Sequence, residues 1–294
     1  MITKNTREIY DIKTTLTTKL RVSLYRSSVM DKGITILYFH GGGLLYGVRE
    51  DLPEEYISLF LKNGYNLLAF DYPLAPEAPL SMIVQSVQES FQWFKNEAST
   101  LLGIDSSKFF LFGRSAGGYL CYLLSKYLMT SEYNLPLGII SFYSYYGLEE
   151  KEFYTPSSHY LKLPKIPESI LSELLSPEPI THGPISSRFS IYVYGRQTGT
   201  WLKLLGIPQE EVKNYSLTEE ELSNLPPIFL TASTTDQDVP YRVSKRLSKA
   251  LANATLHTVY GLDHDFDRDI KNKVGYETYE KLILWMDRIV GNCS

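Results

Sequence analysis

Short apolar runs alternate with amphipathic stretches along most of this chain, and that alternation predicts its elements. Residues 34–39 (ITILYF), 65–70 (YNLLAF), 108–112 (KFFLF) and 137–142 (LGIISF) are continuous apolar runs, as strands covered on both faces would be. Residues 54–62, 81–97 and 119–129 instead repeat their apolar positions at helical spacing; Ile83, Val84, Val87, Phe91 and Phe94 share one face of the second. Two strands are expected before them, at 7–14 and 19–26, the latter alternating Leu20, Val22 and Leu24 inward. Beyond residue 226 the alternation resumes, with strands at 228–232 and 255–260 and helices at 241–251 and 271–290. Strands and helices in regular succession predict an α/β fold with a doubly wound, mostly parallel sheet.

The alternation is interrupted once. Between residues 147 and 226 stand Pro156, Pro164, Pro167, Pro177, Pro179, Pro184 and Pro208, two short amphipathic pieces at 168–175 and 219–225, and the aromatic segment Ile191-Tyr192-Val193-Tyr194. A stretch this long is no plain connection in a compact domain. It is expected to be an inserted cap subdomain on a core made of residues 1–146 and 227–294. Residues 71–79 (DYPLAPEAP) hold too much proline for helix or central strand and are expected as an ordered loop.

Composition narrows the function classes. Apolar residues make up 44% and charged residues 21% of 294, with a formal charge of -4. That balance is a soluble globular protein's and carries no basic footprint for nucleic acid. Neither a membrane-spanning run nor the apolar core of a signal peptide is present, so a cytoplasmic location is expected. Cys121 and Cys293 read as a buried small residue and a stray thiol, and the 23 tyrosines as an aromatic-rich core.

The candidate chemistry centres on Gly113-Arg114-Ser115-Ala116-Gly117-Gly118, where a strand-like run gives way to a helix-like one. In that setting G-x-S-x-G is a nucleophile elbow: Ser115 sits on a sharp turn, and small neighbours let the chain pass close by. A serine hydroxyl needs a base, usually a histidine held by a carboxylate. Of five histidines, His264 follows the last strand and reaches the carboxyl edge of the sheet, where ligands gather in open α/β folds. His257 lies within a strand, His40 opens a glycine run, and His159 and His182 belong to the insertion. The loop after the preceding strand offers Asp236 and Asp238; Asp236 lies nearer the strand end, and Asp238 reads as a carboxylate at a helix N-terminus. Ser115, Asp236, His264 is then the chain order of nucleophile, acid and base. The glycines after His40 and the Ala116 amide could receive an oxyanion. No P-loop lysine follows those glycines. Asp263, Asp265, Asp267 and Asp269 recur at every second position, but Arg268 and Val274 stand where an EF-hand needs glycine and glutamate. A solvated acidic loop is expected there.

Together, His40-Gly41-Gly42-Gly43, Tyr72-Pro73-Leu74-Ala75-Pro76-Glu77, the elbow, Asp236-x-x-Val239-Pro240 and His264-x-Phe266 resemble the hormone-sensitive-lipase-like group of α/β-hydrolase esterases. The resemblance covers roughly residues 30–145 and 226–290. It implies a serine hydrolase without metal or cofactor that cleaves small carboxylic esters, with Ser115 as nucleophile, His264 as base and Asp236 as acid. Gly41, Gly42 and Ala116 become the oxyanion donors. Amide hydrolysis, by a peptidase or formamidase, would use the same triad, and a binding protein could keep the fold without the chemistry. Arg114 stands where the group carries an aspartate, and Pro73 where it carries an arginine. Arg114 is expected either to face away and pair with an acid of the insertion or to lie near the pocket and favour acidic substrates. Activity is expected to fall as pH drops through a histidine pKa of roughly 6 to 7.

Overall fold

The structure is a computed structural model and describes residues 5–27 and 30–292; Cys293 lies outside them. In chain order the elements are β1 (Arg7–Ile12), β2 (Leu20–Tyr25), β3 (Ile34–Phe39), α1 (Glu54–Lys62), β4 (Tyr65–Phe70) and α2 (Leu80–Glu97). Then come β5 (Phe109–Arg114), α3 (Ala116–Met129) and β6 (Gly138–Phe142). The next segment holds α4 (Ser169–Leu174), α5 (Ile185–Thr198), α6 (Trp201–Leu204) and α7 (Glu219–Ser223). The chain returns through β7 (Ile228–Ser233), α8 (Tyr241–Ala250), β8 (Ala254–Val259) and α9 (Lys273–Asn292). The strands form one eight-stranded sheet in the order β1-β2-β4-β3-β5-β6-β7-β8. From β4 to β8 every pairing is parallel, and only β1 with β2 and β2 with β4 run antiparallel.

The continuous apolar runs have the physical cause expected of them. Alternate residues of β3 point to opposite faces, and both faces are covered. Leu37 and Phe39 join a core with Ile83, Val87 and Phe91 of α2 and Leu120 and Leu124 of α3. Ile34, Ile36 and Tyr38 join a second core with Phe60 of α1 and Leu282 and Met286 of α9. The sheet is therefore doubly wound, and burial on both sides explains why β3, β4, β5, β6 and β7 contain no exposed position.

The segment between β6 and β7 packs on the α2 and α3 face: Phe153, Ile191, Tyr192 and Trp201 belong to the same core as Tyr119 and Leu120. Its longest element, α5, is a 14-residue helix where the sequence predicts only an aromatic segment. The reason is chemical. The buried side of α5 includes Arg188, Arg196 and Gln197 alongside Ile191, Tyr192 and Val193, so its inward face does not read as apolar. The charges are satisfied inside. Arg188 donates to both carboxylate oxygens of Glu77, at 2.8 and 2.7 Å, and to the carbonyls of Leu45 and Ala75. Gly47 and Gly183 exchange backbone hydrogen bonds of 2.6 and 3.0 Å, tying the glycine loop to the chain just before α5.

Candidate active site

Each expected site residue lies just past the carboxyl end of a parallel strand: the glycine run after β3, Ser115 after β5, Asp236 after β7 and His264 after β8. Ser115 carries φ 51° and ψ -120°, a left-handed conformation that a side chain adopts only when its surroundings enforce it. They do so here. The Ser115 amide donates to Phe142 O at 2.8 Å. A Cβ on Gly113 would fall 2.1 Å from the Gly117 carbonyl carbon, and one on Gly117 would fall 2.0 Å from Phe39 O. The glycines of the motif are thus required by close passage of β5, the elbow and β3.

Ser115 Oγ lies 3.0 Å from His264 Nε2, and His264 Nδ1 lies 2.7 Å from Asp236 Oδ2. A carboxylate only accepts, so Nδ1 carries the proton and Nε2 is left to accept from the serine hydroxyl. The other Asp236 oxygen accepts the amides of Asp238 and Val239, at 2.8 and 2.9 Å. Thr235 Oγ1 donates to Leu262 O at 2.7 Å, joining the acid's loop to the base's loop. Burial works against the imidazolium, but the adjoining Asp236 carboxylate outweighs it, with Asp238 and Asp265 adding to the effect. The His264 pKa is accordingly raised above its ordinary value, whereas the sequence alone suggests a little-perturbed group.

Ala116 opens α3 with its amide at the helix N-terminus. Gly42 has φ 103° and a Cβ there would fall 1.8 Å from Tyr46 O, while a Cβ on Gly41 would stand 3.0 Å from Arg114 O and 3.4 Å from Ser115 Cβ. The glycine run therefore lies against the elbow. His40 supports it from behind: its ring is buried, stacks on Tyr72 with centroids 4.2 Å apart, and donates from Nδ1 to Gly41 O at 2.7 Å. The Trp201 indole N–H reaches Gly43 O at 2.9 Å from α6.

The remaining histidines separate cleanly. His257 is within β8, and His159 lines a cavity of about 200 Å³ beside His264, with Tyr46, Tyr160, Ile185, Phe189 and Asp238 also on its wall. His182 lines a different surface cleft, with Thr17, Thr18 and Lys19. Among the described residues no three His, Cys, Asp or Glu side chains are grouped as a metal ion would require. None of their helices is long and apolar enough to cross a membrane.

Three expectations are corrected. Asp238 is no simple helix-terminal carboxylate: it is buried and accepts from Arg196 at 2.6 Å, Tyr192 at 2.7 Å and Tyr160 at 3.1 Å, all from the segment between β6 and β7. The aspartate-rich run is not uniformly solvated, because Asp267 is fully buried and accepts from Tyr143 and Tyr279 at 2.7 and 2.9 Å. Arg114 neither pairs with the insertion nor reaches the pocket. It is buried beneath the elbow, 3.3 Å from Asp267 and 3.5 Å from Asp51, and donates to Tyr143 Oη at 2.7 Å. Burial disfavours its charge, but the Asp267 carboxylate more than compensates and keeps Arg114 a cation. Sequence reasoning also misses Arg188, Arg196 and Tyr143. Only Glu77 and Asp238, acids without an assigned partner, hint that buried cations exist.

The chain matches the family described as alpha/beta hydrolase fold over residues 36–268. An α/β-hydrolase superfamily protein from Enterococcus faecalis superposes with a TM-score of 0.83 at 32% identity, covering 97% of this chain and 99% of that one. Hormone-sensitive lipase of Mus musculus is 27% identical over 237 residues, 78% of this chain but 30% of the lipase. An ethyl acetate hydrolase of Pseudomonas putida is 31% identical over 112 residues, 37% of this chain and 35% of the hydrolase. The chain thus spans less than a third of the length of the hormone-sensitive lipases it matches. A sheet, an elbow and loop motifs of this kind, matched over most of the chain, mean that it belongs to the α/β-hydrolase fold family, in the hormone-sensitive-lipase-like group that its motifs resemble.

Proposed function

We propose that this chain is a carboxylic ester hydrolase that cleaves small esters through an acyl-enzyme on Ser115. The observation that carries this reading is the hydrogen-bonded series from Ser115 Oγ through His264 to Asp236 Oδ2, at 3.0 and 2.7 Å. His264 takes the serine proton as Oγ attacks the ester carbonyl, and Asp236 holds the resulting imidazolium. The amides of Gly41, Gly42 and Ala116 receive the oxyanion; among the described residues none of the three donates to a protein group. His264 then protonates the departing alcohol, and water, deprotonated by the same histidine, releases the acid. The segment 147–226 acts as a cap, supported by the bonds of Arg196 to Asp238 and of Arg188 to Glu77. The relatives named as a lipase and an ethyl acetate hydrolase support an ester as substrate.

The test compares p-nitrophenyl acetate with p-nitroacetanilide as substrates of the purified protein. A kcat/KM well above the anilide's is expected for the ester. An anilide turned over as well as the ester would move the assignment to amide hydrolysis, and turnover of neither would contradict it.

A further inference from the structure

Arg114 and Asp267 take no part in the reaction as written, yet their places in the chain are telling. Arg114 immediately precedes Ser115, and Asp267 follows His264 by three residues. The two loops that must bring nucleophile and base together therefore meet a second time, beneath the site, through an ion pair of 3.3 Å. Tyr143, from the loop after β6, lies between them: its hydroxyl accepts from Arg114 Nε at 2.7 Å and donates to Asp267 Oδ1 at 2.7 Å. Its ring stands edge-on to the His264 imidazole, with centroids 4.7 Å apart and planes at 63°. Two further tyrosines fix the aspartate, Tyr279 of α9 on Oδ2 and Tyr56 of α1 on its carbonyl, both at 2.9 Å.

Filling this volume with apolar side chains would avoid the desolvation of two charges, and such replacements are often neutral or stabilising. What an apolar filling lacks is direction. A guanidinium fork, a carboxylate and a tyrosine hydroxyl fix one another's angles. The group they steady is one whose misplacement by an ångström can cost about a hundredfold in rate. We propose that Arg114 and Asp267, with Tyr143 between them, are positioning residues that brace the His264 loop against the Ser115 elbow. The proposal rests on the reading of Ser115 and His264 as nucleophile and base.

The test measures kcat and KM for p-nitrophenyl acetate, Tm, and the low-field proton resonance of His264 Nδ1–H bonded to Asp236. The proteins are wild type, Asp267→Asn, Arg114→Met, Tyr143→Phe and the double variant Arg114→Met/Asp267→Asn. Asp267→Asn and Arg114→Met should each lose about tenfold to a hundredfold in kcat with KM within about twofold, and the resonance should broaden or vanish. Tyr143→Phe keeps the ring and removes only the hydroxyl, so it reads the brace even if Arg114→Met does not fold; a smaller loss in kcat is expected. The double variant leaves neither charge of the Arg114–Asp267 pair facing a lost partner, although half-buried Asp51 loses Arg114 and keeps the Tyr38 hydroxyl at 2.6 Å. Its Tm should recover towards wild type while kcat and the resonance do not. Single variants with wild-type kcat and resonance would overturn the proposal, as would a double variant in which both return together with Tm. A wild-type protein inactive on esters would count against the reading of the site, and the resonance would still decide the bracing.

Discussion

Replacing Ser115 with alanine is expected to lower kcat for p-nitrophenyl acetate by about 10⁴- to 10⁶-fold, the range seen when a triad nucleophile is removed. The expectation follows from the division of labour at the site. Without Oγ, His264 Nε2 has nothing to activate but water, and only the amides of the glycine loop and Ala116 remain to act on the carbonyl. The fold has no reason to fail. Ser115 already occupies φ 51°, and alanine pays the same left-handed backbone cost as serine. A Tm close to that of wild type is expected alongside the kinetic loss. Substantial residual turnover in an otherwise folded Ser115→Ala protein would mean that another group performs the reaction.

The second large effect is expected of Asp236→Asn, about 10⁴-fold in kcat, and the direction of the change can be worked out from the loop. One Asp236 oxygen is committed to the amides of Asp238 and Val239. In the asparagine variant the side-chain carbonyl must take that place, since an NH₂ group cannot accept. The NH₂ is then left facing His264 Nδ1, which has to become the acceptor. The ring proton moves to Nε2, and the serine hydroxyl loses its base. The pH profile supplies an independent reading. In the wild type the carboxylate raises the His264 pKa, so activity is fully present above that raised value and falls as pH drops through it. The acid limb should lie above the ordinary histidine value of about 6.5. In Asp236→Asn the limb of the residual activity should move to lower pH. A limb that stays in place, with kcat/KM followed from pH 5 to 10, would remove Asp236 from the role given to it.

Much of this arrangement is legible in the sequence because it is written in elements with short, repetitive signals. Strands buried on both faces appear as unbroken apolar runs, so β3 and β4 are expected at the residues where they are found. The elbow is legible because only glycine tolerates the passage of β5 and β3 at Gly113 and Gly117. Ser115 and His264 follow from chain order, and the structure brings them to 3.0 Å. Buried polar contacts between distant segments are what periodicity does not encode. The pattern of α5 is concealed by Arg188 and Arg196 on its inner side, whose carboxylate partners Glu77 and Asp238 come from distant segments. Asp267 lies in a run of alternating aspartates whose spacing looks solvated, and only its place beneath the elbow, against Arg114, Tyr143 and Tyr279, makes it a buried anion. Arg114 itself is read wrongly for the same reason. Of the two readings open for it, Arg114 takes neither whole: it faces away from the pocket, but its counter-ions are Asp267 and Asp51 beneath the elbow and not an acid of the insertion.

The measurement that bears most directly on Ser115 as nucleophile is covalent labelling with a fluorophosphonate, followed by mass spectrometry of the intact protein and of its peptides. One adduct per chain, on the peptide carrying Ser115 and absent from Ser115→Ala, is expected. No adduct under native conditions, or an adduct on another residue, would contradict the assignment.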